Sequence, residues 1–124
     1  MVKNAVNWFE IPVSDLDRAT DFYQHMMHTE LERSNAMDGM DLAIFPYDEQ
    51  SVSGALVKAE FLTPASSGSV VYLNAEGILD DAISRAQEKG ASIAIPKTAI
   101  GEHGFFAHII DCEGNRVGLH SMAG

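Results

Sequence analysis

The alternation of apolar and polar residues predicts the elements of the second half of the chain most clearly. The closing stretch FFAHIIDCEGNRVGLHS (residues 105–121) has two apolar runs on either side of Glu113, Gly114 and Asn115. Gly and Asn readily adopt the positive φ of a tight hairpin turn. Upstream, apolar residues recur at helical spacing before Gly90, a residue type that commonly ends helices. The predicted elements are strands over residues 69–74, 92–96, 105–111 and 116–121, with a helix over residues 78–89.

The first half repeats the same order of elements. Residues 7–12 alternate as a strand in which Phe9 and Ile11 share one face while Trp8 and Glu10 share the other. A helical stripe of apolar residues follows, and three short strands complete the half. The stripe consists of Leu16, Ala19, Phe22, Tyr23 and Met26, and the strands span residues 29–33, 41–46 and 54–59.

A polar, helix-breaking stretch at residues 64–68 (PASSG) divides the two halves. We therefore predict an α+β fold with two βαβββ modules, residues 1–63 and 69–124, in a single domain of residues 1–124. The two modules are expected to form a curled mixed sheet around a cleft.

The register of the last hairpin decides which side chains share a face. We centre the turn on Glu113 and Gly114. One face then carries Gly118 and His120 and is assigned to the cleft, while His108 falls on the face that the second helix covers. The predicted pairs are Asp111 with Arg116, Ile109 with Gly118, and Ala107 with His120, and Phe105 lies on the same face as these residues.

Composition and charge narrow the function classes. The 124 residues are 46% hydrophobic and 21% charged, which is ordinary for a globular chain, and the net charge is −10. Such a charge disfavours nucleic acid and anionic membranes as partners. The chain shows no signal-peptide pattern, no apolar run of the ~20 residues needed to span a bilayer, and one cysteine, Cys112. We expect a cytoplasmic protein.

Two stretches, WFEIPVSDLDRATDFY (residues 8–23) and the closing hairpin, together make the chain resemble the vicinal oxygen chelate superfamily. That superfamily includes glyoxalase I, bleomycin-resistance proteins and extradiol dioxygenases. The first stretch is similar to the family's opening strand, Asp-Leu turn and helix, and the second to its closing hairpin. The resemblance covers nearly the whole chain and implies paired βαβββ modules around a cleft, usually within a homodimer.

In metal-dependent members of this family, His and Glu side chains hold a divalent ion that chelates adjacent substrate oxygens. The matching positions in this chain are Trp8, Val70 and Gly118, which cannot ligate, and a fourth position somewhere in residues 54–60. A divalent metal is therefore disfavoured, no cofactor is predicted, and active metal-dependent glyoxalase I chemistry is not expected.

Glu10 and His120 are the candidate catalytic residues on the predicted cleft face. Glu10 could act as a general base beside Trp8, or it could be a rim carboxylate paired with a basic residue. Trp8 could be a platform for a planar ligand, or it could fill space or contact a second copy. His120 could exchange protons near neutral pH, or it could be a hydrogen-bonded structural histidine.

Candidate ligand-binding residues complete the predicted cleft. Tyr72 and Asn74 face the same way as Glu10, and the absent side chain of Gly118 leaves room for a ligand. His103 lies in a Gly-flanked loop that could close over a ligand or be a plain connector. The full predicted set is Trp8, Tyr72, Asn74, His103, Phe105 and Gly118.

The sequence thus leaves two functions open. The first is a metal-independent, small-molecule binding protein of the bleomycin-resistance kind whose ligand is unknown. The second is a lyase, isomerase or dioxygenase-like enzyme in which Glu10 and His120 transfer protons.

Overall fold

The computed structural model describes residues 4–37 and 39–124, and in this part of the chain eight strands and two α-helices form two βαβββ units. The first unit consists of β1 (Trp8–Pro12), α1 (Leu16–Met27), β2 (Glu32–Met37), β3 (Met40–Ile44) and β4 (Ser53–Ala59). The second unit consists of β5 (Val71–Asn74), α2 (Leu79–Glu88), β6 (Ser92–Ala99), β7 (Phe105–Ile110) and β8 (Arg116–Ser121).

Each unit forms a four-stranded mixed sheet with the same topology. The strand orders are β1-β4-β3-β2 and β5-β8-β7-β6, so β1 and β5 are both edge strands. β1 runs parallel to β4 and β5 runs parallel to β8, whereas the remaining pairs are antiparallel. The predicted α+β fold of two βαβββ modules is confirmed, and the sheets are curled without closing.

One hydrophobic core joins the helices and the inner faces of both sheets. The α1 stripe is fully buried, as predicted. It shares one cluster with apolar side chains of both units, among them Leu56 on β4, Ile109 on β7 and Leu119 on β8. Burial of this shared surface is the main favourable term that stabilises the fold.

The turn that follows helix α1 extends further than the sequence pattern indicates, so β2 begins later than predicted. Asp15 caps its first turn by accepting a hydrogen bond from the Arg18 backbone N–H. At the other end His28 adopts a left-handed conformation, and the Gln24 side chain accepts a hydrogen bond from the Leu31 backbone N–H. Residues 28–31 therefore form a turn, and β2 starts at Glu32. The strand predicted at residues 29–33 was placed about three residues too early. In the interval between the strands predicted at 29–33 and 41–46, residue 38 lies outside the described residues.

Strand β6 continues through Pro96 to Ala99, beyond the predicted end at residue 96. Proline cannot donate a backbone hydrogen bond, but β6 is an edge strand and its pairing with β7 is irregular here. An edge strand with a bulge tolerates proline because no ladder bond is required of that nitrogen.

The register of the β7–β8 hairpin differs from the prediction by one residue. His108 pairs with Gly118 and Phe106 pairs with His120, because the connecting loop contains five residues, 111–115, rather than four. The Asp111 carboxylate turns inward and accepts hydrogen bonds from the backbone N–H groups of Glu113 and Asn115. These hydrogen bonds make Asp111 part of the loop, so the pairing of β7 with β8 differs by one residue from the prediction.

Glu113 joins this loop to the start of α1. Its carboxylate, only 1% exposed, accepts hydrogen bonds from the backbone N–H groups of Ser14 and Asp15 and from the Arg18 guanidinium. Burial by itself would raise the pKa of Glu113, but the hydrogen bonds and the charge of Arg18 outweigh it and hold the pKa below its usual value.

We expect Glu113→Gln to lower the free energy of unfolding by about 1–2 kcal/mol at pH 7, because a buried amide replaces a carboxylate that accepts charge-assisted hydrogen bonds. The folded-state pKa is depressed, so this stabilisation is present above the unfolded pKa of ~4.3 and is lost as the pH falls through the folded value. Urea unfolding at pH 7 and pH 3 measures both effects. The exposed Glu60, changed to Gln, is the control, and equal stability of the two variants at pH 7 would contradict the assignment.

Candidate functional site

A wide groove lies where the edge strands β1 and β5 meet the C-terminal end of α1. Its volume is about 970 Å³, within the range of small-molecule sites. Its walls are mainly apolar and aromatic, and the side chains that matter below are Trp8, Phe9, Phe45, Tyr72 and Asn74. Three of the residues predicted to bind a ligand, Trp8, Tyr72 and Asn74, therefore line one groove.

Trp8 forms one wall of the groove and is 41% exposed. Its indole N–H donates a hydrogen bond to Glu10 Oε2 at 3.3 Å, so the two side chains share a face as predicted. Glu10 itself lines a smaller cavity of about 230 Å³ next to Arg116. The hydrogen bond to Glu10 therefore holds the indole of Trp8 while the side chain stays partly exposed in the groove.

Tyr72 forms a second wall and is 49% exposed. Its ring lies directly over Gly118 on the neighbouring strand: a Cβ built at Gly118 would stand 2.3 Å from Tyr72 Cδ1. No alanine could occupy that position without moving the ring. The missing side chain at Gly118 is thus filled by the protein's own tyrosine, which differs from the expectation that it leaves room for a ligand.

His108 lies on the same face as Tyr72 and Gly118, not on the helix side as predicted. The hairpin register explains the error, since a slip by one residue moves every side chain of a strand to the opposite face. His108 is buried, and its Nε2 lies 2.6 Å from the Tyr72 hydroxyl while its Nδ1 lies 3.1 Å from Arg116 Nη1. Burial lowers the pKa of His108, and the charge of Arg116 lowers it further.

The same register error affects Phe105. Phe105 pairs with Ser121 and packs against the core, and Lys97 Nζ lies 5.2 Å from the centre of its ring. It is not on the cleft face. Its neighbour Phe106 takes that place, with its ring centre 6.4 Å from that of Tyr72 and 5.5 Å from that of His108.

His120 and His103 are joined to each other. His120 Nε2 donates a hydrogen bond to the His103 backbone carbonyl at 2.6 Å, which ties the short 3-10 turn Gly101–His103 to β8. Neither residue is among those that line the groove between β1 and β5. Within residues 4–37 and 39–124 no hydrogen bond links His120 to Glu10, so the two predicted catalytic residues are not brought into direct contact.

Three of the four positions that the resemblance assigns to the family's metal ligands carry an indole at Trp8, an isopropyl group at Val70 and a hydrogen at Gly118. None of these groups can donate electrons to an ion. Across residues 4–37 and 39–124, no three His, Cys, Asp or Glu side chains lie close enough together to hold a metal ion. The donor set therefore does not fit the divalent ion of the metal-dependent relatives.

Cys112 lies half-buried in the β7–β8 loop. Burial raises the pKa of its thiol to about 11, with the neighbouring Asp111 charge adding to the effect and Arg18 opposing it. At neutral pH almost all of this thiol is protonated, so Cys112 lacks the thiolate character of a nucleophile.

Sequence reasoning placed Arg116 on the cleft face without giving it a role, and it missed His108 and Phe106 as cleft residues. The signal that could have found them is the Asp at the first position of the DCEGN loop, because an Asp side chain commonly accepts hydrogen bonds from backbone N–H groups two or more residues ahead. A five-residue loop closed by Asp111 gives the observed register and puts His108 and Phe106 on the cleft face together with Arg116.

The chain belongs to the Glyoxalase/Bleomycin resistance protein/Dioxygenase superfamily, whose pattern it matches over residues 5–119. No curated protein sequence matches it. In the part of the chain that the structure describes, neither helix is long and apolar enough to cross a membrane.

Solved structures share this fold at low sequence identity. A glyoxalase/bleomycin resistance protein/dioxygenase family enzyme from Burkholderia phytofirmans superposes with a TM-score of 0.68 at 13% identity, covering 94% of this chain and 97% of that one. The fosfomycin resistance protein FosX from Listeria monocytogenes gives 0.65 at 14% identity, with 98% and 92% covered. TnmS3, an antibiotic binding protein from a Streptomyces species, gives 0.63 at 23% identity, with 98% of each chain covered.

Proposed function

We propose that the protein binds a planar small molecule in the groove between β1 and β5, and that binding needs no metal ion. The observation that carries the proposal is the pair of large aromatic side chains, Trp8 and Tyr72, that remain 41% and 49% exposed on the walls of one groove. Exposed aromatic surface in a concave site is typical of ligand binding, because burying it on binding is favourable.

The absence of suitable donors at Trp8, Val70 and Gly118 supports the metal-independent part of the proposal. Two proteins of the same fold are described as an antibiotic binding protein and a fosfomycin resistance protein, which supports small-molecule binding as the general role. The homodimer and the cytoplasmic location rest on sequence reasoning and are part of this proposal.

The alternative function, proton transfer by Glu10 and His120, stays a prediction. Glu10 accepts a hydrogen bond from Trp8, and His120 donates one to the carbonyl of the 3-10 turn. No contact described above favours catalysis over binding.

We expect Trp8→Ala to weaken the binding of 2-acetylnaphthalene, a planar aromatic probe, by about tenfold, which corresponds to ~1.4 kcal/mol of lost stacking and burial. Isothermal titration calorimetry measures the affinity, and light scattering measures the oligomeric state. Phe61→Ala is the matched control, because Phe61 is 71% exposed and does not line the groove.

The two readouts separate the two interpretations of Trp8. Weaker binding with an unchanged oligomeric state supports the groove as a ligand site. A change from dimer to monomer with unchanged probe affinity would instead assign Trp8 to a contact between two copies. Failure of the wild-type protein to bind the probe would overturn the proposed function.

A further inference from the structure

Three polar groups form a chain beneath the groove. The Arg116 guanidinium lies 3.1 Å from His108 Nδ1, and His108 Nε2 lies 2.6 Å from the Tyr72 hydroxyl. His108 is 8% exposed and packs between the rings of Tyr72 and Phe106. Only Tyr72, at the end of the chain, reaches the groove.

The hydrogen bond between Arg116 and His108 fixes the direction of both hydrogen bonds in this chain. A guanidinium can only donate, so Nδ1 of His108 is an acceptor and carries no proton. The neutral imidazole must then hold its proton on Nε2, which donates it to the Tyr72 oxygen. The tautomer of His108 is therefore fixed by Arg116.

The Tyr72 hydroxyl keeps its own proton and can donate it to another group. Its oxygen already accepts from His108, and within residues 4–37 and 39–124 the hydroxyl has no other protein partner. A phenol that accepts one hydrogen bond becomes a stronger donor, because hydrogen bonds in a chain polarise one another. Since Tyr72 is half-exposed, this donor can point into the groove.

We propose that Tyr72 is a specificity-determining donor, oriented by Arg116 through His108, and that the bound molecule is a planar aromatic compound with a carbonyl or anionic oxygen directed at it. The inference rests on the proposed function and names the chemical class of its ligand. The positive charge of Arg116 behind the imidazole favours an oxygen acceptor over a cationic group at this point, although the protein as a whole is acidic.

Two probes that share a ring system but differ in their hydrogen-bond acceptor test the donor. 2-Acetylnaphthalene and 2-ethylnaphthalene share the same ring, but only the first carries a carbonyl acceptor. The ratio of their dissociation constants, measured by calorimetry, gives the selectivity of each variant. Tyr72→Phe keeps the ring and removes the hydroxyl, so we expect it to reduce the selectivity for the ketone about fivefold to tenfold while the affinity for 2-ethylnaphthalene stays unchanged.

A matched control and a second variant make the test specific. Tyr47→Phe removes the hydroxyl of a tyrosine outside the groove and should leave the selectivity as in the wild type. Arg116→Leu removes the group that fixes the tautomer of His108, so Nε2 can accept the Tyr72 proton and the selectivity should fall towards that of Tyr72→Phe.

The outcomes are distinguishable. Unchanged selectivity in Tyr72→Phe, with both probes still binding, would overturn the donor but leave the proposed function standing. Loss of selectivity in Tyr72→Phe without any loss in Arg116→Leu would overturn the orienting role of Arg116 and His108. If neither probe binds the wild-type protein, both the donor and the proposed function fail.

Discussion

Replacing Gly118 by alanine should weaken the binding of 2-acetylnaphthalene at least tenfold while the protein stays folded with a moderate loss of stability. The new Cβ would stand 2.3 Å from Cδ1 and 2.8 Å from Cγ of Tyr72, so the ring must swing out of its place. This removes one wall of the groove and breaks the hydrogen bond to His108. Tyr72 is half-exposed and can move into solvent, so the free energy of unfolding should fall only by the cost of leaving the buried His108 without this partner, about 1–2 kcal/mol.

A double-mutant cycle supplies the control for this prediction. In a Tyr72→Ala background the added methyl group of Gly118→Ala meets no ring, so the second substitution should have little further effect on affinity. Calorimetry of the four proteins gives the coupling between the two positions. Additive effects, or an unchanged affinity in the single variant, would contradict the assigned packing of Tyr72 over Gly118.

Replacing Tyr23 by phenylalanine should lower the free energy of unfolding by about 2 kcal/mol. The Tyr23 hydroxyl is fully buried and donates a hydrogen bond at 2.5 Å to Asp111 Oδ2, the carboxylate that closes the β7–β8 loop. Hydrogen bonds to charged groups contribute about 1.5–3 kcal/mol to stability. In the variant, Asp111 Oδ2 loses the hydrogen bond that Tyr23 donates to it. Urea unfolding measures the loss, and the exposed Tyr47, changed to Phe, should give none.

The pH dependence of unfolding provides a second test of the Tyr23–Asp111 hydrogen bond. Burial raises the pKa of Tyr23 well above its ordinary value, and the charge and hydrogen bond of Asp111 raise it further. A group whose folded pKa exceeds its unfolded pKa stabilises the fold fully below the unfolded value, ~10 for tyrosine, and this contribution declines at higher pH. The decline above pH 10 should be smaller in Tyr23→Phe, and an equal decline would contradict the assignment.

Local patterns in the sequence predict much of the fold because they depend on neighbours along the chain. The stripe from Leu16 to Met26 marks the buried face of α1, since apolar residues at helical spacing must find a common core. The facing of Trp8 and Glu10 on β1 follows from strand alternation alone. Both could be read without any knowledge of tertiary contacts.

The errors arise where a side chain bonds to a distant or unexpected backbone group. The turn after α1 depends on Gln24 reaching Leu31, and the hairpin register depends on Asp111 accepting from its own loop. That one-residue difference moved His108 to the cleft and Phe105 to the core. A helical or strand period cannot show such bonds, because they add no periodicity to the sequence.

The candidate site could be predicted only in part for the same reason. Trp8, Tyr72 and Asn74 were assigned to the groove from strand alternation and do line it. The chain formed by Arg116, His108 and Tyr72 depends on the pairing of β8 with both β5 and β7, which no single stretch of sequence specifies. Whether Glu10 and His120 have any catalytic role stays a prediction.

The central claim, binding between β1 and β5 without a metal ion, is tested most directly by the fluorescence of Trp8, the one tryptophan in the sequence. Protein treated with EDTA is titrated with 2-acetylnaphthalene, and the titration is repeated after addition of Mn²⁺, Ni²⁺ or Zn²⁺. We predict saturable quenching in EDTA, with a dissociation constant that none of the three ions changes. Quenching that appears only after one equivalent of metal has been added would contradict the claim.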